Sequence, residues 1–143
     1  AGNASGVAAA SQLAKAEGGK AIPLAVSVPS HCPLMRAAAT QFSEALHTLK
    51  LTMPSIPVAH NCTGEVAADT ANILQCLQEQ LYEPVRWHQS MQYIHDQFSI
   101  QTTLECGPGV VLSNLVKRLP FSWNPLGLDT PQKLEAAVKA LTA

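Results

Sequence analysis

KAIPLAVSVPSHCPLMRAAATQFSEALHTL, residues 20–49, changes its hydrophobic period halfway along. Ile22, Leu24, Val26 and Val28 stand at every second position, the spacing of a β-strand, and Pro23 marks an edge or an irregularity within it. Beyond Pro29-Ser30-His31-Cys32-Pro33 the spacing becomes helical. Leu34, Ala38, Phe42, Ala45, Leu46 and Leu49 share one face, and Pro33 suits the first helical position. A strand that passes through a turn into a helix predicts an α/β chain, with His31 at the junction.

The flanking segments continue the same alternation. Residues 5–17 are Ala-rich and stopped by Gly18-Gly19, predicting a helix. IPVAH (56–60) reads as a short strand and residues 61–64 as a turn. Asp69 is placed to cap a helix with Ile73, Leu74, Leu77 and Leu81 inward, which Pro84 ends or separates from the next. Trp87, Met91, Ile94 and Phe98 repeat at helical steps. Residues 100–106 read as a strand, and Gly107-Pro108-Gly109 as a turn into a helix through Leu112, Leu115, Val116 and Leu119. WNPLGL is a short extended stretch before a last helix, capped by Thr130, with Leu134, Val138 and Leu141 toward the core.

The 143 residues suffice for one domain with a core. They are 47% hydrophobic and 13% charged with a net charge of −1, which argues against disorder. Such a balance gives no basis for a nucleic-acid or anionic-membrane partner. No apolar run approaches the roughly 18 residues of a membrane span. The opening AGNASGVAAASQLAK lacks the basic start and apolar block of a secretory signal. Cys32, Cys62, Cys76 and Cys106 form no CxxC pair, so free thiols in a reducing cytoplasm are expected, with no metal and no cofactor. Asn61-Cys62-Thr63 fits the N-x-T glycosylation pattern and, without a secretory signal, reads as coincidence.

His31 is the most informative candidate. Sites of α/β folds gather at strand-to-helix junctions. The positive end of the following helix disfavours imidazolium and leaves the neutral ring a general base requires. A histidine that merely caps the helix or fills the turn is the competing reading. His47 lies on the helix after Pro33, His88 and His95 fall on a shared helical face, and His60 ends a strand. Gly107-Pro108-Gly109 lacks the spacing of a phosphate-binding loop. No G-x-S-x-G elbow occurs, so the residues alone offer a candidate base without a nucleophile.

Three segments, VSVPSHCPLM (26–35), QLYEPVRW (80–87) and ECGPGVVLSNLVKR (105–118), together resemble the C-terminal half of malonyl-CoA:acyl carrier protein transacylases. The resemblance covers essentially the whole chain. It implies part of a ferredoxin-like subdomain over residues 1–28 and the C-terminal part of an α/β-hydrolase-like subdomain over residues 29–143. In that family a serine in a GHSxG elbow attacks malonyl-CoA, a histidine is the base and an arginine holds the malonyl carboxylate. The acyl group then passes to the phosphopantetheine thiol of acyl carrier protein. The resemblance puts the catalytic histidine on His31 and the main-chain carbonyl that orients it on Gln80. Asn61 falls where the family has an asparagine near the site. Arg36, Arg86 and Arg118 take no carboxylate-binding role. The serine and the arginine clamp would belong to an N-terminal half outside these residues. The chain would then be a C-terminal fragment, inactive alone, with exposed apolar surface.

Acyltransferase domains of polyketide synthases are a neighbouring alternative, although Pro29-Ser30 looks like the freestanding fatty-acid enzyme. A non-catalytic α/β interaction or ligand-binding domain is the alternative of another class. The catalytic reading expects the Gln80 carbonyl within hydrogen-bonding reach of a His31 ring nitrogen.

Overall fold

A computed structural model describes residues 1–142. They form two compact units, Ala1–Tyr93 and the residues from Ile94 on.

In the first unit, helix α1 (Ala4–Ala16) starts where the Asn3 side chain accepts the Gly6 N–H at 2.7 Å. It ends before Gly18, whose φ of +77° is open to glycine. The strand predicted over residues 20–28 is absent: the segment has neither helix nor strand. A strand requires a neighbouring ladder, and the one internal bond here runs from the Val26 N–H to the Leu24 carbonyl. Ile22 and Leu24 are accordingly 78% and 81% exposed.

A short 3₁₀ turn, Pro33–Met35, leads into α2 (Arg36–Leu46). The buried residues of α2 are Ala39 and Leu46, whereas Ala38 and Ala45 are exposed. Of the residues predicted to share the inward face, Leu46 is buried, whereas Leu34, Phe42 and Leu49 are 57%, 37% and 56% exposed, because little of the described chain covers that side of the helix. Helix α3 (Thr70–Glu79) begins as predicted, with Asp69 Oδ1 accepting the Asn72 N–H at 2.8 Å. It packs on α2 and buries Cys76.

The predicted strand at 56–60 reduces to one bridge, Ala59 to Val66. The chain turns there at Gly64, whose φ is +85°. A Cβ on Gly64 would lie 3.1 Å from the Gln89 Cβ and 3.3 Å from the Ser90 nitrogen. Only glycine lets this loop approach the first turns of α4 (Trp87–Gln97) so closely.

In the second unit, β1 (Thr102–Glu105) and β2 (Asn124–Gly127) pair in parallel, with Thr102 opposite Asn124 and Glu105 opposite Gly127. Parallel pairing needs a crossover, and α5 (Val111–Val116) supplies it. Gly107 and Gly109 have φ of +135° and +88°, so the GPG stretch is the turn its composition predicted. Helix α6 (Pro131–Thr142) packs on β2 and buries Ala137. Leu134, Val138 and Leu141, predicted to face the core, are about half exposed. Two strands are too narrow to cover a whole helical stripe, and the small residue is the one covered.

The buried apolar residues described are mostly small, with Leu46 and Val116 the largest aliphatic ones. Exposed apolar surface is correspondingly extensive. No described helix is long and apolar enough to cross a membrane.

Glu105 secures the crossover. Its two carboxylate oxygens accept the N–H groups of Leu112 at 2.9 Å and Ser113 at 2.7 Å. Hydrogen bonding from Ser113, and then from the Leu112 N–H, holds the carboxyl below its ordinary 4.5. The folded value lies below the unfolded one, so this support is present above pH 4.5 and is lost as pH falls through the folded value. Glu105→Gln is expected to lower the melting temperature at neutral pH. The gap from the parent chain should narrow on acidification, as followed by circular dichroism.

Candidate functional site

His31 has φ +61°, the one positive φ outside glycine among the described residues. A left-handed backbone costs an L-residue about 1–2 kcal/mol. Several bonds hold it there. The Ser30 N–H donates to the Val28 carbonyl at 2.8 Å, and the His31 N–H donates to the Leu81 carbonyl at 2.9 Å. Cys32 Sγ donates to the Pro29 carbonyl at 3.1 Å, and the Met35 N–H donates to the Cys32 carbonyl at 3.0 Å. The turn is therefore fixed to itself and to the segment after α3.

The His31 side chain is exposed and makes no hydrogen bond among the described residues. It is not a helix cap. Cys32 occupies the cap of the 3₁₀ turn and Met35 that of α2, neither with a side-chain cap bond. The bond expected between the ring and the Gln80 carbonyl is not formed in this structure. Residue 81 receives the main-chain N–H of His31 instead, while Gln80 Nε2 donates to the Leu77 carbonyl at 3.1 Å. The structure thus joins His31 to the 80–81 segment through main chain and leaves the imidazole uncommitted.

Asn61 sits on the turn that faces Arg86. The Arg86 N–H donates to the Asn61 carbonyl at 2.8 Å, and Arg86 Nε donates to the Cys62 carbonyl at 2.8 Å. Arg86 Nη1 donates to Gln89 Oε1 at 3.2 Å. Its guanidinium thus bonds protein partners through Nε and Nη1. The Asn61 side chain makes no hydrogen bond to His31 or Gln80. Burial lowers the pKa of neighbouring His60 and so favours its neutral form.

The thiols nearest these residues are poor nucleophiles. Burial, and then Cys76 beside it, pushes the Cys62 thiol up to about 11. Cys32 is buried, and its S–H is engaged by the Pro29 carbonyl. Among the described residues no three His, Cys, Asp or Glu side chains converge as metal ligands would.

Sequence reasoning missed Leu81, which acts through its carbonyl and carries no side-chain signal. It also missed Arg36 as a contact residue. The Arg36 guanidinium lies 4.2 Å from the centre of the Tyr82 ring, and its Nη2 is 3.6 Å from Glu83 Oε1.

No family model matches the chain. Individual proteins do. It is 39% identical over 141 residues to the malonyl CoA-acyl carrier protein transacylase of Bacillus subtilis (strain 168), covering 98% of this chain and 44% of that protein. It superposes on the malonyl-CoA:acyl carrier protein transacylase of Xanthomonas oryzae pv. oryzae with a TM-score of 0.92 at 45% identity, covering 97% of this chain and 44% of that one. A malonyl-transacylase solved with a type II polyketide-synthase acyl carrier protein gives 0.91 at 35% identity, covering 97% and 45%. The chain is a homologue of malonyl CoA-acyl carrier protein transacylases along nearly all of its own residues. It spans less than half the length of the curated relatives it matches.

The backbone of residue 31 can be tested apart from chemistry. Asparagine tolerates the left-handed region, whereas a β-branched residue does not. His31→Asn is expected to unfold within about 0.5 kcal/mol of the parent. His31→Val is expected to lose about 1–2 kcal/mol. Urea denaturation of the two variants reads the difference.

Proposed function

We propose, taking homology to the malonyl-CoA:acyl carrier protein transacylases as the premise, that this chain is the histidine-bearing part of such an enzyme. The observation that carries the reading is His31 itself: a strained, exposed residue, locked by its main chain and free at its ring. Backbone strain of this kind is retained where a side chain must be presented for use. In the proposed reaction a serine outside these residues attacks the malonyl thioester while His31 accepts the serine proton. The proton returns to the departing CoA thiolate, leaving a malonyl-serine ester. The phosphopantetheine thiol of acyl carrier protein then attacks that ester, its proton passing through His31 to the serine oxygen.

Gln80 is proposed to orient the ring through its carbonyl once the site is complete. The neighbouring Leu81 carbonyl already binds the His31 main chain, which keeps the 80–81 segment beside the histidine turn. Asn61 is proposed as a neighbour of the site on the Arg86-tied turn. Residues 1–28 are proposed to belong to a small ferredoxin-like subdomain and residues 29–143 to an α/β-hydrolase-like one. Malonyl-CoA, acyl carrier protein and the remaining half of the enzyme are the proposed partners, in the cytoplasm. The fragment alone is proposed to be inactive, since it carries no serine elbow.

In the complete enzyme His31→Ala is expected to slow malonyl transfer by about 10²–10⁴-fold, the usual contribution of a general base. Gln80→Ala is expected to cost less than about threefold, because only its main chain is recruited. Rates of malonyl transfer to holo-acyl carrier protein measure both. A large Gln80 effect in a correctly folded variant would remove that residue from the mechanism.

A further inference from the structure

We propose that Arg36 is a positioning residue for His31, gripping the segment whose carbonyl holds the histidine turn. The proposal rests on the reading of His31 as the base.

The Leu81 carbonyl can hold His31 only while the turn after α3 keeps its place. That turn bonds back to α3: the Tyr82 N–H donates to the Glu79 carbonyl at 3.0 Å, and the Glu83 N–H to the same carbonyl at 2.8 Å. These bonds shape the turn locally. They do not tie it to the histidine. Two links do: the His31–Leu81 bond and Arg36, the first residue of α2, lying over Tyr82 at 4.2 Å and beside Glu83 at 3.6 Å. The chain from His31 through the 3₁₀ turn to Arg36 and the chain from Leu81 to Glu83 are therefore joined at both ends. A single main-chain bond leaves a hinge. A second attachment removes the rotation that would carry the imidazole away from its proton donor.

The two contacts of Arg36 are unequal. The side chains of Arg36 and Glu83 are 59% and 37% exposed, so their ion pair is screened by water and is a weak tether. Stacking on the Tyr82 face gives the grip its direction, and a planar guanidinium does this better than an ammonium. Arg36 is thereby committed to protein groups rather than to a substrate carboxylate.

The test is malonyl transfer from malonyl-CoA to holo-acyl carrier protein, measured over a pH range with the complete enzyme that carries these residues. Arg36→Ala is expected to lower kcat about 10-fold, a modest loss of orientation. The KM for malonyl-CoA should stay within about twofold, and the acid limb of the pH profile should move. Tyr82→Leu should reproduce this loss, and Tyr82→Phe, which keeps the ring, should recover most of it. The double variant Arg36→Ala/His31→Ala should be no slower than His31→Ala, because Arg36 acts through His31. Arg36→Gln repeats the measurement if the alanine variant does not fold. A raised KM at unchanged kcat, a parental kcat and pH profile, or an additive loss in the double variant would each overturn the proposal. Retention of transfer by His31→Ala overturns the underlying reading of the base. A dead His31→Ala beside a fully active Arg36→Ala overturns the positioning role alone.

Discussion

One main-chain hydrogen bond, from the His31 N–H to the Leu81 carbonyl, joins the segment before α2 to the segment after α3. Without it the left-handed backbone at His31 would lose its main-chain support from outside its own turn. An isolated residue leaves that conformation readily, because the ordinary regions are lower in energy. The α2–α3 packing gives the bond its reach. Ala39 is the fully buried residue of α2, and Cys76 is the buried residue of α3.

The second unit is held in a comparable way by different parts. Two parallel strands of four residues make a short ladder. The connection between them is held by a carboxylate on the end of one strand, which takes up two N–H groups of the crossover helix. A helix of six residues is too short to hold itself in water. It exists because Glu105 satisfies donors at its start and because Ser113 and Val116 are buried.

Local chemistry was the legible part of the sequence. Asp69 and Thr130 as caps, the GPG turn and the alternation of helix with strand in the second unit all depend on neighbours a few residues away. The failures depend on distant partners. Ile22, Leu24, Val26 and Val28 have a strand's periodicity, but periodicity cannot provide a ladder. Leu134, Val138 and Leu141 form a proper stripe, yet the sheet beneath α6 is too narrow to cover it. At the candidate site, His31 was singled out by its setting in VPSHCPLM, while the strand on which its junction was argued is not formed. Leu81 was not, since a carbonyl looks alike in every residue. Arg36 was not, because stacking on Tyr82 obeys no sequence spacing.

The segment before His31 bears on how the molecule must be handled. Alternating aliphatic residues on a chain outside any ladder, with small residues between them and few charges nearby, present donors and acceptors to any similar segment, save the Val26 N–H and the Leu24 and Val28 carbonyls, which are already bonded. This is the composition from which intermolecular sheets grow. Lys20 and Pro23 are the interruptions in residues 20–28, and both lie toward its beginning. Val26 and Val28 are left unguarded, so self-association at high concentration would start at the residues that lead directly into the histidine turn.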